Sequence, residues 1–290
     1  MQAIHLVTAR NCVPAIRLGL IGDNIAESKA ADLHRTAGRL CGLDVTYELL
    51  VPRDLSLEFD AVFDRARDQG FRGLNITYPY KEKVVRRLRI DDLSVRTIAA
   101  CNTVLFDAPS PIGANTDYTG FIAAFKNRYG IMAPGIVAIA GTGGVGKAIG
   151  FALVQLGAKG LRLFDFDREK AEKLARAIAS EHSGIDVQAS ASIAQAGDGA
   201  DGLVNATPLG MVGYGGSAFP KTLLNGRRWA FDAVYTPIDT PFMLGARAAG
   251  LSIMSGYELY LYQGVDAFKL FTGRQIDPIE LRQAIGPKLA

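Results

Sequence analysis

The sequence predicts an α/β protein of two domains, the second of them a doubly wound parallel sheet. Three observations predict it. The run Ala138-Ile139-Ala140-Gly141-Thr142-Gly143-Gly144-Val145-Gly146-Lys147-Ala148 lies deep in the chain, follows an apolar strand-like stretch at 136–140 and opens an amphipathic helix-like stretch at 145–156. Strand-like and helix-like segments alternate on both sides of it, as βαβ units require. A chain of 290 residues suits two modest domains, with enough sequence before residue 136 to build one of them.

In order, 16–22 and 45–52 read as strands around a helix at 29–42 that ends near Gly42. A helix at 59–69 is stopped by Gly70, a short strand follows at 73–77, and a loop with Pro79 leads to a helix from about 81. Segments 102–106 and 112–115 read as paired short strands, and a helix starts near Asp117, which suits its cap. The second half gives strands at 136–140, 161–165, 186–190, 202–206, 229–234 and 252–255, with helices at 144–157, 168–182 and 240–249. Helices at 257–271 and 277–285 close the chain. Helices near 118–130 and 257–271 are expected to join the domains and frame a cleft, where ligands favour binding. The expected division is 1–117 with 257–290 as substrate domain and 118–256 as dinucleotide domain.

Composition excludes several classes of function. Apolar residues make up 49% and charged residues 21%, and the net charge of +3 is too small to imply nucleic acid or an anionic membrane. Lys81, Lys83, Arg86, Arg87 and Arg89 read as a solvated helix face, since no aromatics interleave with them. Cys12, Cys41 and Cys101 show neither a disulfide framework nor metal spacing, so reduced thiols, no metal and a cytoplasmic setting are expected. The N-terminal stretch lacks the apolar core of a secretory signal, and no apolar run is long enough to span a bilayer. A monomer and a homodimer are both compatible with these features.

The glycine run carries the first chemistry. Its glycines permit a tight turn and close backbone approach, and the helix it opens offers free N–H groups and a positive dipole end to a pyrophosphate. Asp165 lies 24 residues after Gly141 at the end of the next strand, where a carboxylate accepts hydrogen bonds from an adenosine ribose and repels a 2′-phosphate. NAD is therefore the expected cofactor, with NADP compatible if Arg168 turns inward. The bland alternative is that Asp165 or Asp167 caps the helix at Arg168, a role that suits Asp167 better.

Six short motifs then carry a resemblance. They are Gly73-Leu74-Asn75-Ile76-Thr77-Tyr78-Pro79-Tyr80-Lys81, Ala100-Cys101-Asn102-Thr103-Val104, Gly113-Ala114-Asn115-Thr116-Asp117, Asn205-Ala206-Thr207-Pro208-Leu209-Gly210-Met211, Asp232-Ala233-Val234-Tyr235-Thr236-Pro237 and Tyr262-Gln263-Gly264. In order and spacing the chain resembles the shikimate/quinate dehydrogenase family over nearly its whole length. The resemblance implies oxidation of a ring hydroxyl of shikimate or quinate to the 3-dehydro ketone, with hydride passing to a nicotinamide. It implies that Lys81 and Asp117 are the catalytic pair and that Thr77, Asn102 and Gln263 bind ring hydroxyls. It implies further that Tyr235 and Ser28 belong to the substrate pocket and that Thr207 and Met211 line the nicotinamide side. With Gly141, Gly143, Gly144, Val145, Gly146, Asp165 and Gly256 these complete the cofactor candidates. The chemistry suits the residue types: alcohol oxidation needs a base for the hydroxyl proton, and the reverse needs an acid at the carbonyl oxygen. A lysine serves both if its pKa is lowered, which a neighbouring carboxylate opposes, so the two form a coupled pair. The alternative is a plain salt bridge at the domain junction. Asn75, Asn102 and Asn115 suit turn or loop-fixing roles as well, and Gln263 also suits a satisfied core amide.

The chain departs from the family in two places. The family usually carries Ser-x-Ser-Pro-x-x-His-Asn, the second Ser sometimes Thr, and here Ser28-Lys29-Ala30-Ala31-Asp32-Leu33-His34-Arg35 keeps only the first hydroxyl. One donor fewer weakens carboxylate binding by about 1–3 kcal/mol unless Lys29 or a water compensates. His34 is expected to pack or bond locally, not to catalyse. Biosynthetic members typically show Asn-Arg-Thr where this chain has Asp165-Phe166-Asp167, so Phe166 stands in for the arginine that clamps a 2′-phosphate and is expected to stack on adenine or to pack. Both changes suggest an NAD-preferring paralogue of the main biosynthetic enzyme. Alternatives are a dehydrogenase of a modified ring acid such as an aminoshikimate, a folate-linked dehydrogenase on a similar frame, and a non-catalytic sensor of NAD and a ring acid. Asn102, Asp117 and Gln263 together argue against the folate reading, and the Lys81–Asp117 pair argues against the sensor.

Overall fold

The computed structural model describes residues 15–107 and 109–286. Cys12 and the reading of the N-terminal stretch lie outside the described residues. Two sheets organise the rest. The first takes β1 (Ile16–Ile21), β2 (Val45–Leu50), β3 (Gly73–Ile76), β4 (Thr103–Leu105) and β5 (Ile112–Ala114) in the order β2-β1-β3-β4-β5. Strands β1, β2 and β3 run parallel, but β4 and β5 pair antiparallel, so this sheet is mixed and not a pure series of βαβ units. The short chain between β4 and β5 has no room for a crossover helix, which forces the reversal. Helices α1 (Ala30–Leu40) and α2 (Phe59–Asp68) cover the sheet.

The expected helix from 81 is a 3₁₀ turn over Lys83–Arg87. A further helix the sequence reading lacks, α3 (Leu93–Ile98), follows, capped by the Asp92 carboxylate and ended at Ala99 with φ +52°. The basic stretch is no uniform solvated face. Lys81 turns inward to Asp117, Arg87 pairs with Asp60 and Asp64 over the Phe63 ring, and Arg86 pairs with Asp60.

Helix α4 (Thr116–Tyr129) leads into the second sheet. Its cap is Asn115, whose side chain accepts from Tyr118 N at 3.1 Å while its amide donates to Ala100 O at 2.8 Å. Asp117 therefore lies inside the first turn and is not the cap. Strands β6 (Ile136–Ala140), β7 (Gly160–Phe164), β8 (Asp186–Ala189), β9 (Gly202–Asn205), β10 (Trp229–Asp232) and β11 (Ser252–Ser255) form the order β11-β10-β9-β6-β7-β8, all parallel. This is the doubly wound sheet, and its switch point lies between β6 and β9. Helices α5 (Gly144–Gln155), α6 (Arg168–Glu181), a short α7 (Ile193–Gly197) and α8 (Pro241–Ala248) flank it. Helix α5 is buried on most faces, including Ala148, Ile149, Phe151, Ala152 and Leu153, because α3, α4 and the sheet enclose it. The amphipathic reading of that stretch is corrected accordingly.

Helix α9 (Gly256–Thr272) binds the halves together, and α10 (Pro278–Ile285) follows it back towards the first sheet. Leu259 enters the core of the second sheet with Phe121, Phe125 and Phe231. Tyr260, Leu261, Ala267, Phe268 and Phe271 enter the core of the first sheet with Leu18, Leu20, Leu33 and Ala37. One helix thus packs into the cores of both sheets.

Candidate active site

The glycine loop is built by backbone geometry. Gly141 turns at φ +91°, and a Cβ there would lie 2.8 Å from the Ala206 backbone. A Cβ on Gly146 would meet Gly141 O at 2.0 Å, so the helix can enter this close to the strand only with glycine. Gly143 is the N-cap of α5, without a side-chain cap bond, and a Cβ there meets nothing within 4 Å. The first turn of α5 therefore leaves N–H groups facing open space, which fits a pyrophosphate. Val145 is half-buried against the core behind the loop.

Asp165 is tied to this loop. Its Oδ2 accepts from Thr142 N at 2.8 Å and Thr142 Oγ1 at 2.9 Å, and Oδ1 accepts from Asp167 N at 3.0 Å. A carboxylate has about four acceptor positions, so room for one further donor is left on Oδ1. Asp167 occupies the N-cap of α6 but its side chain makes no cap bond, a correction to its expected role. Arg168 lies along its own helix with Glu172 at 2.8 Å. Phe166 is 87% exposed, edge-on to Phe164 at 5.6 Å between centroids.

Lys81 and Asp117 come from different parts of the chain and meet. Lys81 Nζ lies 2.6 Å from Asp117 Oδ2, with the side chains 11% and 8% exposed. The Lys81 stem also lies against Gly144, since a Cβ there would be 3.1 Å from Lys81 Cβ and Cδ. A second ion pair, Glu82 to Lys147 at 2.7 Å, joins the same two segments. Around the pair, Asn102 Oδ1 accepts from Thr116 N at 2.7 Å and Asn102 Nδ2 donates to Thr116 Oγ1 at 3.0 Å. Gln263 Oε1 accepts from Thr116 Oγ1 at 3.4 Å, and its Nε2 donates to Tyr260 O at 2.9 Å. Asn102, Asp117 and Gln263 thus converge on the first turn of α4.

A second cluster lies nearer α1. Tyr235 lies beside Ser28 and is stacked on Tyr260 at 5.1 Å, and burial pushes its phenol up to about 12. Ser28 Oγ also accepts from Ala30 N at 3.3 Å, and Tyr260 donates to Lys29 O at 2.8 Å. Tyr47 donates to Asn75 Oδ1 at 2.9 Å, and Asn75 donates on to Thr103 and to Asn102 O. His34 is buried and stacked on Tyr47, and burial lowers its pKa to about 4, with Asn75 opposing the shift. Thr77 sits at the carboxyl end of β3, its N–H donating to Ile21 O at 2.9 Å.

Beside the glycine loop, Thr207 donates through N and Oγ1 to Asn205 Oδ1 at 3.0 and 2.6 Å. Met211 donates through its backbone to Pro208 O at 3.0 Å. Gly256 passes so close to Ala233 that a Cβ would lie 2.5 Å from its carbonyl oxygen. Among the described residues, Thr77, Met211 and Gly256 share no hydrogen bond with the other candidates. Three residues of this neighbourhood had no role in the sequence reading: Thr116, Asn205 and Asp232. Each stands in a quoted motif, so the signal was position beside a candidate and not residue type.

The parallel sheet with its switch point, the open glycine loop and the buried Lys–Asp pair define a two-domain dinucleotide-binding α/β protein. Comparisons with known proteins narrow this. Residues 20–104 match the model of the shikimate dehydrogenase substrate binding domain. The chain is 37% identical to a shikimate dehydrogenase (NADP(+)) of Pseudarthrobacter chlorophenolicus, over 91% of this chain and 92% of that one. It is 36% identical to a quinate/shikimate dehydrogenase (NAD(+)) of Corynebacterium efficiens, over 92% and 96%. The structure superposes on quinate dehydrogenase from Corynebacterium glutamicum in complex with NAD with TM-score 0.84 and 34% identity, covering 93% of this chain and 98% of that one. The chain belongs to the shikimate/quinate dehydrogenase family.

Proposed function

We propose that this protein is an NAD-preferring oxidoreductase that interconverts shikimate or quinate and the corresponding 3-dehydro ketone. One observation carries the reading: the 2.6 Å Lys81–Asp117 pair, nearly buried, whose lysine stem rests on Gly144 of the glycine loop. A proton-transfer pair thereby stands between the ring-binding cluster and the dinucleotide loop. The nicotinamide, when bound, supplies the hydride acceptor. Lys81 Nζ takes the proton of the ring hydroxyl as the C–H bond gives up hydride, and returns it to the carbonyl oxygen in the reverse direction. Asp117 holds the ammonium in place and the two act as one coupled unit. Asn102, Thr77 and Gln263 orient the ring hydroxyls, Ser28 and Tyr235 hold the acid end, and Thr207 and Met211 line the nicotinamide side.

The remaining acceptor position of Asp165 Oδ1 supports a ribose hydroxyl there, and its charge disfavours a 2′-phosphate. That supports NAD over NADP. The division of labour proposed is residues 1–117 with 257–290 for the acid and 118–256 for the dinucleotide. A modified ring acid is the second reading, favoured by Ala30, whose side chain offers no donor beside Ser28.

The test is initial-rate reduction of NAD and NADP by purified protein with shikimate and quinate side by side. Strong NAD-linked turnover of either acid is expected. Negligible turnover of both, with NAD still bound, would transfer the reading to a different ring substrate.

A further inference from the structure

The carboxyl edge of the second sheet ends in a single row. Register sets Ala140 beside Asn205, Asn205 beside Asp232, and Asp232 beside Ser255. Asp232 is fully buried. Its Oδ1 accepts from Asn205 Nδ2 at 2.9 Å and Val234 N at 3.0 Å, and its Oδ2 accepts from Thr240 Oγ1 at 2.5 Å. Asn205 donates also to Leu209 O, which turns its own oxygen to Thr207. Among the described residues no cation pairs with this carboxylate.

A buried charge without a counter-charge is expensive, and a neutral amide would satisfy nearly the same donors. Burial raises its pKa to about 6, and three hydrogen bonds favour its charged form against that shift. The topology shows where a counter-charge can arrive. In a doubly wound sheet a dinucleotide straddles the switch point, one half over each set of strands. The glycine loop and Asp165 occupy the β6–β7 side, so the nicotinamide half falls over β9, β10 and β11, where the Asn205–Asp232 row ends. Oxidised nicotinamide carries one positive charge and the reduced ring carries none.

We propose that Asp232 is the buried counter-charge of the oxidised nicotinamide and biases the site towards NAD⁺ over NADH. The inference rests on the cofactor reading above. It assigns Asp232 a positioning role, transmitted through Asn205 and Thr207 and through the field of the carboxylate, with no contact to the reacting atoms. A purely structural Asp232 would affect both cofactor forms alike. An electrostatic one changes their ratio.

The experiment measures dissociation constants for NADH by fluorescence titration and for NAD⁺ by competition, in wild type and Asp232→Asn. The asparagine keeps shape and an acceptor for Asn205 and Val234 while removing the charge. NAD⁺ is expected to weaken relative to NADH by about fivefold or more. Asp232→Ser provides a second neutral variant, since a serine hydroxyl also accepts from the N–H two residues on. An unchanged ratio in a variant with the wild-type melting curve overturns the inference and leaves the cofactor reading standing. Wild-type protein that binds neither form overturns the cofactor reading itself.

Discussion

Asp165 separates two roles that a single substitution to alanine would confuse. Thr142 is fully buried, and its N–H and hydroxyl both end on Asp165 Oδ2. Asp165→Ala strands both donors. Bonds to a charged acceptor are worth about 1.5–3 kcal/mol each, so the glycine loop loses about 3–6 kcal/mol of ordering before partial rescue by water. NAD and NADP should then both weaken strongly. Asp165→Asn behaves differently. Its oxygen can keep both Thr142 bonds, and only the exposed Asp167 N–H loses an acceptor, which water replaces. What disappears is the charge. The acceptor goes with it, because the amide NH2 now stands at the Oδ1 place, so the ribose hydroxyl loses a bond to a charged acceptor worth about 1.5–3 kcal/mol and NAD should weaken by about 10- to 150-fold. The repulsion of a 2′-phosphate goes at the same time, so NADP should hold or improve. The assay is kcat/KM for each cofactor at saturating acid, for both variants, alongside melting curves. A cofactor ratio unmoved in Asp165→Asn would refute the ribose contact. Equal losses in the two variants would refute the loop tie.

Lys81→Ala should lower kcat by at least ~100-fold with a smaller effect on KM for the acid, and an unchanged kcat would remove it from the proton path. Asn115→Ala removes the α4 cap and strands Ala100 O, so denaturant titration should show a loss of about 1–3 kcal/mol. His34 gives a pH dependence of stability. Its folded pKa of about 4 lies below the ordinary 6.5, so the unfolded chain binds the proton first as pH falls. Stability is then full above pH ~6.5 and falls progressively towards pH ~4, by about 3 kcal/mol in all. His34→Phe should flatten that slope in denaturation curves at pH 7 and pH 5, and an unchanged slope would assign the effect to other groups.

The legible part of this fold was the part written in local chemistry. Short strand-like runs alternating with helix-like stretches marked the strands of the second sheet, and the glycine loop marked its switch point. The strand pair after Asn102 was visible too, but not its antiparallel sense, which depends on the connection and on β3 beside it. Helix α3 escaped because its six residues show fewer than two turns of periodicity, and its cap, Asp92, follows another aspartate. Asp117 looked like a cap because an acidic residue at a helix start usually is one. Asn115, two residues earlier, already satisfies that end, and this frees the Asp117 side chain to meet Lys81 across the sequence. No local pattern announces such a pairing. It becomes visible only when α4 is docked against α9 and the first sheet.

That docking has a consequence at Gly144. Its backbone does not require glycine, since it begins a regular helix with no positive φ. The restriction comes from the other half of the molecule, because a Cβ would lie 3.1 Å from both Cβ and Cδ of Lys81. Gly144→Ala should therefore be tolerated by the fold, with the helix itself gaining up to about 1 kcal/mol from alanine propensity. The added methyl must be accommodated by moving the Lys81 stem a few tenths of an ångström or by parting the two segments, which the Glu82–Lys147 pair resists. Either response lengthens the 2.6 Å Lys81–Asp117 contact while leaving Asn102 and Gln263 in place. Displacement of a proton-transfer group on this scale reduces rate far more than affinity, by about 10- to 100-fold. Steady-state kinetics on Gly144→Ala should show kcat falling with KM for the acid nearly constant and the melting temperature unchanged or raised. A variant with wild-type kcat would mean that the closed contact between Lys81 and the glycine loop plays no part in the proton transfer.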